Sequence, residues 1–320
     1  MLGNNDYGQL GNGTGGEDRS LIPVQVLGIT DATTITTAEY HSCALHQDGT
    51  ISCWGANRGG QLGNGTSEDS LVPVKVQGIT DATAITTADH SCALHEDGTI
   101  SCWGNNRNGR LGNGTENDSF VPVKVQGITD ATTITTYGID RSGHSCALHE
   151  DGTISCWGYN EYGQLGNGRG GSDGDHSSVP VQVQGITDAT TITTNSGHSC
   201  ALHQDGTISC WGNNDYGQLG NGTENDSFVP VQVQGITDAT TITGSCALHE
   251  DGTISCWGNN FYGQLGNGTG GSDVDYSSVP VDVDYSSVPV QVQGISDATT
   301  ITTTITGSCC LLYTSPSPRD

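Results

Sequence analysis

Residues 90–104 read His-Ser-Cys-Ala-Leu-His-Glu-Asp-Gly-Thr-Ile-Ser-Cys-Trp-Gly, and this stretch decides the fold. Asp97 and Gly98 form a turn signal between two short runs rich in apolar and β-branched residues. The pattern predicts a β-hairpin that pairs Ser91–His95 with Thr99–Trp103. A three-residue loop with its glycine in a left-handed conformation closes such a hairpin.

The hairpin recurs along the chain, and three shorter segments recur between its copies. Gly-Gln-Leu-Gly-Asn-Gly comes first, and Val72–Val76 then alternates apolar and other residues, which is the period of a strand. Pro73 has no N–H to donate, so this strand is expected at a sheet edge. Ala84–Thr87 is a short β-branched strand. Spacings of 46 to 54 residues, typical of propellers and other arrays, separate Trp54, Trp103, Trp157, Trp211 and Trp257.

Four predicted strands in each repeat indicate an all-β fold, a β-propeller of about six four-stranded blades that form an incomplete ring. The propeller is expected over residues 1–310, and residues 311–320 match no repeat and are interpreted as a non-native tail. The predicted units are 3–54, 55–103, 104–157, 158–211, 212–257 and 258–310, the last incomplete.

These motifs resemble the regulator of chromosome condensation repeat family, whose superfamily also holds β-lactamase-inhibitor protein II. The resemblance covers residues 3–309. It implies a ring that usually has seven blades, whereas this chain has only five complete cysteine hairpins. Residues 1–3 read Met-Leu-Gly where Cys-Trp-Gly is expected, so we interpret the chain as a piece of a longer ring.

Ten cysteines form pairs ten residues apart, centred on the aspartate of the turn. Facing residues of an antiparallel pair lie within disulfide reach, so the spacing favours disulfides and an oxidising compartment. Small buried thiols in a reduced protein are the alternative. The pairs are Cys43/Cys53, Cys92/Cys102, Cys146/Cys156, Cys200/Cys210 and Cys246/Cys256.

The chain is strongly acidic, with 35 Asp and Glu against 9 Lys and Arg and a formal net charge of −26. Nucleic-acid binding depends on phosphate neutralisation by basic side chains, so DNA and RNA are excluded as partners. Anionic membrane surfaces are disfavoured for the same reason. No apolar stretch is long enough to insert into a membrane, and no signal peptide is visible.

Other motifs resemble metal, nucleotide or catalytic sites but lack a feature that each site needs. His90, Cys92, His95 and Cys102 offer zinc ligand types, but their spacing and strand alternation do not fit a zinc site. Gly-x-Gly-x-x-Gly segments lack the following helix that a dinucleotide site needs. Acidic loop pairs lack the spacing of a calcium loop. No Gly-x-Ser-x-Gly elbow and no unique Ser, His and Asp set is present, so no enzyme, metal or cofactor is expected.

Five Asn-Gly-Thr segments, Asn64 and Asn113 among them, fit the N-glycosylation sequon. The same residues belong to a recurring Asn-Gly turn, and turn chemistry explains them without sugar. Both interpretations stay open at the level of the sequence.

Two of the four connections in each repeat vary in length, and in an antiparallel blade these two lie on the same face. Loops on a rigid scaffold tolerate change and carry function, so this face is the predicted partner-binding surface. Its candidate residues are Tyr40, Asp89, Tyr137, Ile139, Asp140, Arg141, Asp173, Asp175 and Asn195.

These observations favour a monomeric, non-enzymatic scaffold that binds a protein partner outside the cell or at its surface. The family resemblance implies a first alternative, a guanine-nucleotide exchange factor for a small GTPase. The superfamily resemblance implies a second, a protein inhibitor of an enzyme such as a β-lactamase. The sequence does not name the partner.

Overall fold

A computed structural model describes residues 1–16, 19–138, 142–269, 285–303 and 309–311. Strands and turns make up these ranges apart from a single 3-10 turn at Arg107–Gly109. No helix within them has the length and apolar character needed to cross a membrane. The chain divides into two compact units, the first built mainly from Met1–Glu150 and the second mainly from Val183 onwards.

Unit 1 contains three four-stranded antiparallel sheets in which the strands follow one another in chain order. The first sheet is β1 (Ala32–Thr37), β2 (His41–His46), β3 (Ile51–Gly55) and β4 (Ser70–Lys75). The second is β5 (Ala82–Thr87), β6 (His90–His95), β7 (Ile100–Gly104) and β8 (Ser119–Lys124). The third is β9 (Ala131–Tyr137), β10 (His144–His149), β11 (Ile154–Tyr159) and β12 (His176–Gln182).

Unit 2 contains two more sheets of the same kind and one further strand pair. The fourth sheet is β13 (Ala189–Asn195), β14 (His198–His203), β15 (Ile208–Gly212) and β16 (Ser227–Gln232). The fifth is β17 (Ala239–Thr243), β18 (Cys246–His249), β19 (Ile254–Asn259) and β20 (Tyr285–Gln291). The strand pair is β21 (Ile301–Thr303) with β22 (Cys309–Leu311), which corresponds to the first two strands of the other sheets.

The central hairpin forms as predicted. Cys92 pairs with Cys102 in the β6–β7 register, and Gly98 closes the turn with a left-handed φ of +74°. Pro73 lies in β4, which is an edge strand as its missing N–H required.

The grouping of strands differs from the prediction by one strand. The Val-Pro-Val strand of each repeat was expected to share a sheet with the three strands that follow it, but β4 pairs with β3 and not with β5. The reason lies in the connections. The long segment after β3 returns the chain antiparallel to β3, whereas the short turn after β4 carries it to the next sheet. Each sheet therefore takes its outer strand from the following repeat.

Each core lies between successive sheets of the same unit. In unit 1, Leu62 and Val76, from the segments on either side of β4, pack with Trp103 of the second sheet, and all three are fully buried. In unit 2, Leu219 and Val233 pack in the same way with Trp257. Packing against the neighbouring sheet therefore contributes to the stability of each blade.

Antiparallel order gives every sheet two distinct ends. At one, Thr87 pairs with Ser91, and Gly104 pairs with both His90 and Ser119. We call this the loop end, because it carries the two variable connections. The opposite end carries the Asp-Gly turn and the constant connection to the next sheet, and we call it the turn end.

Gly63 and Gly78 provide a matched test of the packing between sheets. Both have a left-handed φ, but a Cβ on Gly63 would lie 2.8 Å from Trp103 Cδ1, whereas a Cβ on Gly78 meets nothing within 4 Å. We expect Gly78→Ala to cost about 1 kcal/mol of unfolding free energy from backbone strain alone. Gly63→Ala should cost about 3 kcal/mol, because the tryptophan must also move.

Urea unfolding followed by tryptophan fluorescence measures both variants. Equal midpoints for the two would show that the Gly-Gln-Leu-Gly connection does not determine the packing of the next sheet.

Candidate functional site: the loop ends of the sheets

One backbone carbonyl in each connection joins two successive sheets. The Gln61 carbonyl, in the connection after β3, accepts a hydrogen bond from Trp103 Nε1 at 2.9 Å and another from Ser91 Oγ at 3.2 Å. In the same way, Gln9 O accepts from Trp54, Arg110 O from Trp157, Gln164 O from Trp211, and Gln218 O from Trp257. Every tryptophan of the chain is thus buried with its indole N–H satisfied.

A buried histidine extends this link within unit 1. His41 Nε2 lies 3.0 Å from Ser91 Oγ. Because the serine hydroxyl donates to the Gln61 carbonyl, it accepts from the imidazole, and the proton of His41 therefore lies on Nε2. His90 repeats the contact with Ser145 Oγ at 2.8 Å.

Burial keeps these imidazoles neutral. Desolvation lowers the pKa of His41 from 6.5 to about 4. In unit 2 it lowers the pKa of His198 to about 4 as well, against a smaller opposing contribution from the Ser196 carbonyl. The pKa of His90 falls well below 6.5, first through desolvation and then through the positive charge of Arg110. Among the described residues, the buried Nδ1 of His90 has no hydrogen-bond partner, so a proton placed there would find no acceptor within them.

The turn end of every complete sheet carries an Asp-His-Ser hydrogen-bond chain that sequence reasoning missed. In the second sheet, Asp81 Oδ1 lies 2.7 Å from His95 Nδ1, and His95 Nε2 lies 2.9 Å from Ser101 Oγ. The other copies are Asp31–His46–Ser52, Asp130–His149–Ser155, Asp188–His203–Ser209 and Asp238–His249–Ser255. The histidine and the serine are six residues apart in every copy, whereas the aspartate precedes the histidine by 11 to 19 residues.

The order of groups in these chains matches that of a serine hydrolase triad. Such a triad also needs hydrogen-bond donors for an oxyanion beside the nucleophile. Ser101 lies in a central strand between Ala93 and Lys124, so the strand's N–H groups are committed to the sheet ladder. We interpret the chains as clasps that fasten the start of each first strand to its hairpin.

Five disulfides fasten the same hairpins: Cys43–Cys53, Cys92–Cys102, Cys146–Cys156, Cys200–Cys210 and Cys246–Cys256. The Cα atoms of each pair are 4.1 Å apart. Bonded in this way, Cys92 and Cys102 have no thiolates to offer a zinc ion. Among the described residues no three His, Cys, Asp or Glu side chains are grouped to hold a metal.

The turn ends are strongly acidic. Asp48 Oδ1 accepts hydrogen bonds from the Thr50 hydroxyl and the Thr50 N–H, and these lower the pKa of its carboxyl. Thr99 acts on Asp97 in the same way. The turn aspartates therefore stay ionised beside the aspartates of the clasps.

The loop ends carry the tyrosines instead. Tyr40, between β1 and β2, is 42% exposed and meets the ring of Tyr7 edge-on at a centroid distance of 5.4 Å. Tyr216 and Tyr262, in the connections after β15 and β19, are 41% and 81% exposed. Every tyrosine within the described residues lies at a loop end or in an equivalent connection: Tyr7, Tyr40, Tyr137, Tyr159, Tyr162, Tyr216, Tyr262 and Tyr285.

Arg110 breaks the repeat at the loop end of unit 1. It stands where the other repeats have glutamine, and its side chain is fully buried. Nη1 donates to Asp89 Oδ2 at 3.3 Å, and Nε donates to the Arg107 carbonyl at 3.0 Å. Burial lowers the pKa of Arg110, and the charge of Asp89 opposes this shift. Asp89, a predicted binding residue, thus pairs with an arginine of a neighbouring connection.

The other predicted binding residues lie at loop ends where the structure describes them. Tyr137 and Asn195 are the last residues of β9 and β13 and pair with His144 and His198. Asp173 is exposed in the connection between β11 and β12, and the Asp175 carboxylate accepts the Ser172 N–H at 3.2 Å. Ile139, Asp140 and Arg141 lie outside the described residues.

Comparison with known sequences identifies the repeat family to which the chain is similar. A model of the regulator of chromosome condensation (RCC1) repeat matches residues 1–45, 48–94, 97–136, 151–202 and 205–247. A stretch of 83 residues is 43% identical to human E3 ubiquitin-protein ligase HERC2, and it covers 25% of this chain and 2% of HERC2. A stretch of 86 residues is 33% identical to the zebrafish (Danio rerio) protein RCC2 homolog and covers 26% of this chain and 17% of that protein.

Comparison with solved structures gives the fold. The chain resembles human WBSCR16 with a TM-score of 0.77 at 23% identity, over 94% of this chain and 78% of that one. It resembles Prp20p of Saccharomyces cerevisiae with a TM-score of 0.75 at 20% identity, over 94% of this chain and 75% of that one. The predicted all-β propeller fold is confirmed.

We expect the unfolded, unreduced chain to show at most two free thiols, Cys309 and Cys310, among its twelve cysteines. Titration with a thiol reagent in denaturant measures this number, and ten or more free thiols would contradict the disulfides. Removing one bridge by Cys92→Ala with Cys102→Ala should cost somewhat under ~3 kcal/mol, as expected for a short closed loop.

We expect stability to fall as the pH drops from about 6.5 to about 4. Between these two pH values the unfolded chain binds protons at His41 and His198 and the folded chain does not, so lowering the pH favours unfolding. His41 alone should lower the free energy of unfolding by on the order of 3 kcal/mol once the pH is below its folded pKa. Above pH 6.5 this stability is fully present.

Urea midpoints at pH 7, 5.5 and 4 measure the effect, and His41→Gln should flatten the dependence. A wild-type midpoint that stays constant across this range would show that the buried imidazoles accept protons without cost.

Proposed function

Because the chain belongs to the regulator of chromosome condensation (RCC1) repeat family, we propose that it is a non-enzymatic propeller scaffold that binds a protein partner through its loop ends. One observation carries the proposal. The described tyrosines are confined to the loop ends, while the turn ends carry hydrogen-bonded aspartates.

Tyrosine suits a binding surface for a physical reason. Its ring offers a large apolar area at a small cost in side-chain entropy, and its hydroxyl still hydrogen-bonds at the edge of the contact. Tyrosine and arginine are accordingly enriched among the residues that dominate interface energies. Tyr40, Tyr216 and Tyr262 present such rings to solvent.

The rest of the repeat supports the tyrosines rigidly. Asp-His-Ser clasps fasten the hairpins at the turn end, and disulfides join their two strands midway along the hairpin. A backbone carbonyl such as that of Gln61 fastens each connection to the next sheet. Side chains that emerge from such a framework lose little further freedom when they bind, which favours affinity.

The net charge of the chain indicates what kind of surface its partner has. With 35 acidic against 9 basic residues, complementarity favours a protein with a basic surface. Five disulfides favour a non-reducing compartment, and our proposal is an extracellular or cell-surface location.

The exchange-factor role is a second candidate. Prp20p is described with binding to Gsp1p and histones, and this chain resembles its fold. A small GTPase works in the cytosol or nucleus, where thiols are kept reduced, so the disulfides weigh against this role. A nucleotide-release assay on small GTPases tests it, and a β-lactamase inhibition assay tests the inhibitor role.

We expect a double variant in unit 2, Tyr216→Ala with Tyr262→Ala, to bind its protein partner at least about tenfold more weakly, because exposed aromatic anchors dominate such interfaces. The full chain, immobilised with its disulfides intact, first captures partners from an extracellular extract. Surface plasmon resonance then compares wild type and variant against the purified partner.

The matched control changes two exposed residues at the turn ends of unit 2, Gln204→Ala and Glu250→Ala. This control should bind like the wild type. Weaker binding by the control, with full binding by the tyrosine variant, would move the interface to the acidic turn ends and refute the proposal.

A further inference from the structure

A second set of exposed residues recurs on the outer side of the sheets. Five repeats follow Gly-Gln/Arg-Leu-Gly with Asn-Gly-Thr. In each, the asparagine is partly exposed, and the glycine and threonine are exposed. The asparagines are Asn12, Asn64, Asn113, Asn221 and Asn267.

The asparagine side chain is held in one orientation with its nitrogen left open. Asn64 Oδ1 accepts hydrogen bonds from the Thr66 N–H at 3.1 Å and the Thr66 hydroxyl at 2.9 Å. Among the described residues, Asn64 Nδ2 donates no hydrogen bond and is not buried. The other four asparagines make the same pair of contacts.

The sixth copy of the turn shows that the threonine hydroxyl is not needed for the fold. Residues 167–169 read Asn-Gly-Arg, and the Arg169 N–H still donates to Asn167 Oδ1 at 3.1 Å. Gly168 N donates to the Phe228 carbonyl as Gly65 N donates to the Phe120 carbonyl. The turn therefore forms with arginine in the third position, and turn chemistry alone does not require Asn-Gly-Thr.

The turns dock beside the outer strand of the following sheet. Phe120 lies in β8, the edge strand of the second sheet, and is 37% exposed. Exposed edge strands are templates for unwanted pairing and are commonly shielded. The asparagines therefore lie beside a surface that gains from a hydrophilic cover.

We propose that these asparagines are N-glycosylation sites and that Asn167 is not. In the reaction, Nδ2 displaces diphosphate from the anomeric carbon of a polyprenyl-diphosphate-linked oligosaccharide. The N–C bond forms, the C–O bond to diphosphate breaks, and the amide loses one proton. The threonine supplies the hydroxyl that the acceptor motif requires. Disulfides form in the same oxidising route, so this proposal rests on the proposed extracellular or cell-surface location, but it depends on no partner.

The test uses the full chain behind a secretion signal in a cell that N-glycosylates its exports. Peptide-N-glycosidase in ¹⁸O-water converts each glycosylated asparagine to labelled aspartate, and peptide mapping locates the label. A digest without the glycosidase controls for spontaneous deamidation at Asn-Gly. We expect label at Asn12, Asn64, Asn113, Asn221 and Asn267 and none at Asn167.

Two variants sharpen the result. Thr66→Ala should lose one glycan while Thr66→Ser keeps it, and Arg169→Thr should gain one at Asn167. If secretion is poor, translation with microsomal membranes gives the same readout as mobility shifts. A disulfide-bonded product without glycans, or an Arg169→Thr chain unmodified at Asn167, would overturn the proposal, whatever the outcome of the partner-binding experiment.

Discussion

The backbone carbonyl of Gln61 is the point on which neighbouring blades depend. It accepts both the indole N–H of Trp103 and the hydroxyl of Ser91, so one connection satisfies the two buried donors of the next sheet. An unsatisfied buried donor costs about 1–3 kcal/mol, and a blade without its neighbour would leave two of them and an exposed tryptophan. Repetition of this contact explains why stability in the chain is shared between repeats.

The contact between each connection and the next sheet also makes the two ends of a sheet different. The connection between Gly55 and Ser70 must pass between two sheets before it returns as the outer strand, which fixes its Gly-Gln-Leu-Gly part and leaves the rest free to vary. The turn end has no such freedom, since the clasp and the Asp-Gly turn meet there. Variation and tyrosines consequently collect at the loop end. In unit 1, Arg110 adds an ion pair to that end, with its guanidinium buried and Asp89 partly exposed.

Local signals in the sequence were sufficient for the hairpin, the disulfide register and the edge position of Pro73, because each depends on residues close in the chain. The sheet to which Val72–Val76 belongs was predicted wrongly, because a repeat read from the sequence has no intrinsic starting point. The Asp81–His95–Ser101 clasp was missed because its members fall in three separate segments that only the sheet brings together. The Arg110–Asp89 pair was missed for the same reason, although the change from glutamine to arginine was visible.

Hydrogen–deuterium exchange of the full chain, with and without its purified partner, tests the central claim most directly. Slower exchange in the loop-end connections, at the peptides that contain Tyr40, Tyr216 and Tyr262, with unchanged exchange at the Asp-Gly turns, is the result that the account predicts. Protection confined to the turns around Asp48, Asp97 and Asp205 would contradict it and assign binding to the acidic end of the sheets.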